Sequence, residues 1–223
     1  AVIFSERKEY TTDDPLKIRL EEGVHEIVGN YVKVACSHIT FVGKGKDQTT
    51  IRGGFQVANQ QNVKFEELAV TNLRAGEVGL YLLGSETNVD VLKCTFKKCA
   101  FIGMYVIGGA TVTATQCDFM ENGSYGVYCG NANTKARLND CQMHHNGRAG
   151  LWALNGAVVD LHGTKTAIYS NKENGIRAFA RAKINIHLPS QHNTSHDNVR
   201  EDRFQHDGGS IANINADGTF THV

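Results

Sequence analysis

Proline is nearly missing from this chain, with two among 223 residues, whereas glycine occurs 23 times. That balance suits many tight turns and few helices. An excess of charge is missing too: 23 basic residues stand against 23 acidic ones. A dedicated nucleic-acid binder carries a basic stripe, so this class is disfavoured. No apolar run approaches the roughly 18 residues of a membrane-spanning helix, and a soluble chain is expected. None of the six cysteines forms a CxxC pair, which argues against a cysteine metal site. Neither Met nor a signal peptide opens the chain at Ala1, which reads as a mature or excised fragment. Nothing here fixes the compartment.

What is present is a repeat. Gly54-Phe55-Gln56-Val57, Gly79-Leu80-Tyr81-Leu82, Gly103-Met104-Tyr105-Val106, Gly126-Val127-Tyr128-Cys129, Gly150-Leu151-Trp152-Ala153 and Gly175-Ile176-Arg177-Ala178 share one pattern. Their glycines stand 25, 24, 23, 24 and 25 residues apart. A period of that length with alternation inside each unit marks a solenoid of β-structure, one repeat per turn. Within the unit from Gly103, Met104 and Val106 point inward, then Val112 and Ala114, then Cys117 and Phe119. The next unit offers Val127 and Cys129, Ala136 and Leu138, Cys141 and Met143. The one after offers Leu151 and Ala153, Val159 and Leu161, Thr166 and Ile168. Three inward pairs per turn predict a three-sided coil with a dry core. Each turn runs parallel to the last, and such crossovers are right-handed. The fold class is therefore all-β, a right-handed parallel β-helix.

Cys94, Cys117 and Cys141 occupy one column of the repeat. Stacked turns lie about 4.8 Å apart, within disulfide reach, but the column is inward and free cysteine fills small core slots well. Reduced, buried thiols are expected. Asn122, Asn146 and Asn171 share a turn column. Asparagine tolerates left-handed backbone and can hydrogen-bond its stacked neighbour, so they read as a structural ladder. Residues 1–16 are read as an N-terminal cap or arm, 17–187 as coils, and 188–223 as a polar loop and C-terminal cap, with Ser210–Ile214 as a last strand. The whole chain reads as one domain.

This pattern resembles the right-handed parallel β-helix superfamily, the pectin lyase-like group that includes pectate lyases, pectin methylesterases, uronate C5-epimerases and the β-helix region of certain F-box proteins. The stretch from Ile39 to Gly53, with Gly43-Lys44-Gly45-Lys46-Asp47, is similar to the opening turns of pectin methylesterases. Those enzymes carry two catalytic aspartates at strand starts on later turns. The matching places, Ile102-Gly103 and Tyr125-Gly126, hold no carboxylate. Neither the polygalacturonase set of clustered aspartates with Gly-His-Gly and Arg-Ile-Lys nor the epimerase Asp-Pro-His is present; Gln205-His206-Asp207 is at most an echo.

Three groups of residues are candidates for function. Tyr81, Tyr105, Tyr128 and Trp152, ending in Arg177, form an outward column for a sugar or a protein partner. The alternative is that they stack on one another or pack under a cap or second subunit, and homo-oligomerisation through this face is one form of that. Leu83, Ile107, Leu154 and Phe179 make the same face apolar. Lys97, Asp118 (one step offset), His144 and Tyr169 point outward on the third strand, with Glu121 and His145 nearby. Lyases and epimerases acting on uronates need a cation beside the carboxylate and a base–acid pair, often His and Tyr, so these four are the candidate catalytic set. The alternative is a solvated strand face. His187, His192, His196 and His206 with Asp197, Asp202 and Asp207 could bind a divalent metal, but their spacings fit no known site. No metal ligand is assigned and no cofactor is expected.

The sequence favours a non-catalytic binding or scaffold module that recognises a polysaccharide or protein along its side face. The alternative is a uronate polysaccharide lyase or C5-epimerase. No nucleic-acid partner and no membrane span are expected.

Overall fold

The structure is a computed structural model that describes residues 10–187, 194–215 and 217–222. The first nine residues of the expected N-terminal cap lie outside the described residues. Each central turn contains three short strands. In one turn these are Met104–Ile107, Thr111–Thr115 and Asp118–Met120; in the next, Val127–Gly130, Lys135–Asn139 and Gln142–His144. Equivalent strands pair in parallel with no slip: Met104 faces Val127, Val112 faces Ala136, and Phe119 faces Met143. The three stacks are called here the first, second and third faces.

Alternation decides what goes inside. Val112, Ala114, Cys117, Phe119, Leu138, Met143, Leu161 and Ile168 are all buried in one continuous core. Phe96 and Phe119 stack within it at 5.3 Å. A strand presents every second side chain to the same side, so zero register shift places like residues over like residues on each turn.

The first and third faces are joined at the start of the coil. Gly23–Val34 and Thr49–Ala58 are long strands that run through both faces, and Thr49–Ala58 pairs with both Ala69–Thr71 and Leu80–Leu83. From there on the corner opens into a turn, and the asparagine column holds it. Asn122 Nδ2 donates to Asn146 Oδ1 at 3.0 Å, and Asn146 Nδ2 to Asn171 Oδ1 at 2.9 Å. Each amide oxygen also accepts the main-chain N–H of the turn before. The column continues to Asn198, and Cys99 stands in it beside Asn122. One part of the sequence expectation needs correction. The left-handed residues are the ones just before the asparagines, Glu121, His145 and Ser170, with φ of 55°, 55° and 53°. The asparagines serve through their amide ladder, not through a left-handed backbone.

All six cysteines are unbridged, and five of them are buried. Burial pushes the Cys99 and Cys129 thiols up to about 12. Such thiols are inert at neutral pH.

Residues 188 to 208 look polar and patternless in sequence, yet part of this stretch is coiled. Ser195–His196 joins the third face, Arg203–His206 the first and Ser210–Ile214 the second. The signal is weak because only two residues of the third-face strand pair here. The last strand, Phe220–His222, runs antiparallel to Ser210–Ile214. That reversal covers the final parallel edge of the second face, which would otherwise offer unpaired backbone. At the other end, Ile18, Ile27, Val32, Cys36, Ile39 and Phe41 line an apolar cavity. Among the described residues no helix is long and apolar enough to cross a membrane.

Candidate functional site

The first face carries the aromatic column in register. Gln56, Tyr81, Tyr105, Tyr128, Trp152 and Arg177 stand opposite one another on successive turns. Phe204 extends the column by one turn. The sequence reading missed it because no glycine precedes its strand; the signal was the alternation in Arg203-Phe204-Gln205-His206. The rings are half-buried, not splayed into solvent. Tyr81 and Tyr105 lie 5.3 Å apart at 42°, Tyr105 and Tyr128 4.7 Å apart at 40°, Tyr128 and Trp152 5.3 Å apart at 82°. Such tilted and edge-to-face contacts are favoured by ring quadrupoles.

What seats these rings is a second, smaller apolar cluster outside the coil. Val78, Ile102, Tyr125 and Ala149 are buried, and Tyr31, Tyr81, Tyr105, Tyr128 and Trp152 pack on them. All four, Val78, Ile102, Tyr125 and Ala149, immediately precede repeat glycines. A Cβ at Gly103 would meet the Gly126 carbonyl oxygen of the next turn at 2.7 Å, so the glycines let successive turns approach closely there. Gly130 has a different use: a Cβ there would lie 2.7 Å from the Tyr128 ring, which folds over it. Burial, with Tyr105 and Tyr125 nearby, pushes the Tyr128 hydroxyl up to about 12. Arg177 closes the column with its guanidinium 4.9 Å from the Trp152 ring and 5.5 Å from that of Phe204. It also pairs with Glu173 at 3.4 Å. Beside the rings, Leu83, Ile107, Gly130, Leu154 and Phe179 form the next outward column.

The third face brings together only part of the candidate catalytic set. His144 stands opposite Tyr169, and Tyr169 opposite His196. Their rings stack at 4.8 Å and 6°, then 5.4 Å and 4°. Lys97 faces Met120, which in turn faces His144; Lys97 is thus two strand spacings from His144, about 10 Å. Asp118 faces Thr95. It therefore lies two residues along the strand from the Lys97 column, on the same side of the sheet, and not one. A residue that sequence reasoning did not assign reaches it: Lys46, from the loop after Ile39–Val42, pairs with Asp118 at 2.5 Å. Burial and the neighbouring His145 lower the His144 pKa against the opposing pull of Asp118 and Glu121. Burial, then Asp118, raises that of Tyr169.

The four histidines and three aspartates considered as possible metal ligands do not form one cluster among the described residues. His192 lies outside them. His196 pairs with Asp197 at 2.8 Å, Asp202 binds Asn198, and His206 packs on Phe179. His187 belongs elsewhere: it sits on the second face, 3.0 Å from Asp160 and stacked on His162. Sequence distance misled here, because positions one turn apart stack as neighbours, whereas positions on different faces of the coil stand apart however close they are in sequence. The signal was Asp160-Leu161-His162 repeated as Asn185-Ile186-His187, 25 residues on.

Comparison with known proteins bears on the fold. Residues 26–219 match the model of the right handed beta helix region. No curated protein sequence matches the chain. Among solved structures, ORF18 of Geobacillus virus E2 is similar at 12% identity and a TM-score of 0.54, over 89% of this chain and 53% of that one. The Agl-KA catalytic domain is similar at 19% identity and a TM-score of 0.58, over 87% of this chain and 42% of that one. The chain thus spans about half the length of these structures, and at such identities the likeness concerns the fold alone. With parallel strands stacked on three faces and the family match running nearly end to end, the chain belongs to the right-handed β-helix family.

Proposed function

We propose that this β-helix is a non-catalytic recognition module that holds an extended polysaccharide or protein partner along its first face. The observation that carries this reading is the pair of adjacent apolar columns, Tyr81 to Trp152 and Leu83 to Phe179, in register over four to five turns. The rings are seated from beneath by Ile102, Tyr125 and their neighbours. Rigid aromatic anchors lose little freedom when a partner docks, which favours binding. The rings share no common plane, so the face is better suited to a partner lying across several turns than to one flat sugar stacked on one ring.

Ile107→Glu and Leu154→Glu place charges on the outer column without touching the rings. They should abolish binding to glycan arrays or to the partner while the melting temperature holds. Binding equal to that of the parent would overturn the reading.

The second reading is a uronate lyase or C5-epimerase, and the Lys46–Asp118 pair beside His144 and Tyr169 favours it. A base and an acid acting on opposite sides of one sugar carbon must leave room for the sugar, however, and the stacked His144 and Tyr169 rings leave none between them. Incubation with uronate polymers in deuterated water, read by absorbance of the unsaturated product for a lyase and by deuterium gained at C5 for an epimerase, separates the readings: neither signal is expected, and either signal lost in His144→Gln would establish the enzyme.

A further inference from the structure

The second face carries a group of side chains that the first-face reading does not use. Asp160 and His162 stand two residues apart on Val158–His162, so both project to the same side. His187 lies opposite His162 on the next turn, and Asn185 opposite Asp160. One donor atom from each of Asp160, His162 and His187 falls within 4.8 Å of the other two. The imidazole planes of His162 and His187 stack at 4.2 Å and 7°. Two imidazoles and one carboxylate on a rigid sheet make the donor set of a zinc site that keeps an open position. We propose that Asp160, His162 and His187 bind one zinc ion, whose coordination is completed by solvent or by a donor from outside the chain.

The fit can be judged from bond lengths. Zinc–nitrogen and zinc–oxygen bonds of about 2.0–2.2 Å place the ligand atoms of a tetrahedral site roughly 3.3–3.5 Å apart. His187 Nε2 and Asp160 Oδ1 are already 3.0 Å apart, and turning the His162 ring brings in the third donor. The side chains of His187 and Asp160 are 31% and 36% accessible, so an ion and a fourth ligand reach them without unfolding. Asn185 Nδ2 donates to Asp160 Oδ1 at 2.9 Å. Hydrogen bonds of this kind orient the ligating groups in metal sites. The alignment comes from strand register and not from a loop, which favours precision.

The test is calorimetric titration of the untagged, chelator-treated chain with zinc chloride. One site is expected. His162→Gln and His187→Gln should each weaken it at least about 100-fold, and Asn185→Ala about 10-fold, as loss of an orienting partner does. His196→Gln should leave it unchanged. No zinc uptake, or uptake undiminished in the double His162→Gln, His187→Gln variant, would overturn the proposal. Nuclear magnetic resonance of the parent chain gives a readout independent of variant folding. Substoichiometric cobalt(II) should broaden the ring signals of His162 and His187 first; broadening that begins at other histidines would equally overturn it.

Discussion

Two outward columns of rings climb the same coil, and they are built differently. On the first face, Tyr81, Tyr105, Tyr128 and Trp152 tilt against one another over a buried floor of Val78, Ile102, Tyr125 and Ala149. On the third face, His144, Tyr169 and His196 lie flat on one another. The residues just before the repeat glycines account for the difference. Where they are apolar, the corner between the third and first faces becomes a second core that the rings of the first face can enter. The rings of the third face border the same corner but are not among those packed on its apolar cluster. Parallel stacking is then the contact that strand spacing alone provides. An exposed aromatic column in a β-helix is thus either part of a small outer core or a simple stack, and the neighbouring turn decides which.

This comparison can be broken at several depths. Leu138 sets the scale for an inward position. Leu138→Asp buries an unpaired charge and should cost at least about 4 kcal/mol or prevent folding; an unchanged melting temperature would mean that the inward phase is wrong. The corner itself depends on Asn146. Asn146→Ala leaves the Asn122 amide, the Phe119 carbonyl and the Asn171 amide oxygen without this partner. A loss of about 3 kcal/mol is expected in denaturant unfolding.

The two ring columns should then separate clearly. Trp152→Ala removes a half-buried ring from the outer core and should cost about 2–4 kcal/mol. Tyr169→Ala removes one ring of a simple stack and should cost about 1 kcal/mol or less. Equal losses in thermal unfolding would erase the distinction.

The smallest effect is a pH dependence. The His144 pKa lies below its ordinary 6.5 in the folded chain, because of burial and then His145. His162 is lowered as well, by burial and then His187. Above that value both rings are neutral whether folded or unfolded, and nothing is lost. As pH falls below about 6.5, the unfolded chain takes up protons first, so stability declines through that window. The melting temperature should drop modestly from pH 7.5 to 5.5, and His144→Gln should flatten the slope.

Much of this was legible in the sequence, for a physical reason. Strand alternation and a constant turn length fix both which residues point inward and which stack on which, and Met104, Val112, Cys117 and Phe119 needed nothing more. The aromatic column followed from the same count. What escaped depended on geometry that the count does not carry. Lys46 reaches Asp118 from a loop 72 residues away. The turn from Ile176 to its partner Arg203 is 27 residues, longer than the 23–25 of the repeat, and no glycine precedes Arg203, so Phe204 was not placed. His187 was grouped with its chain neighbours when its true partners sit one turn back. The floor under the aromatic column was also unread, since the residues before the glycines lie outside the three inward pairs of each turn.

The most direct test of the outer core is the fluorescence of Trp152, the single tryptophan of the chain. A ring seated against Tyr125, Tyr128 and Arg177 should emit as a shielded indole and resist an aqueous quencher. Its emission should move to that of free indole only in the unfolding transition. Emission of a fully hydrated indole from the native protein, quenched as readily as the free amino acid, would contradict the account.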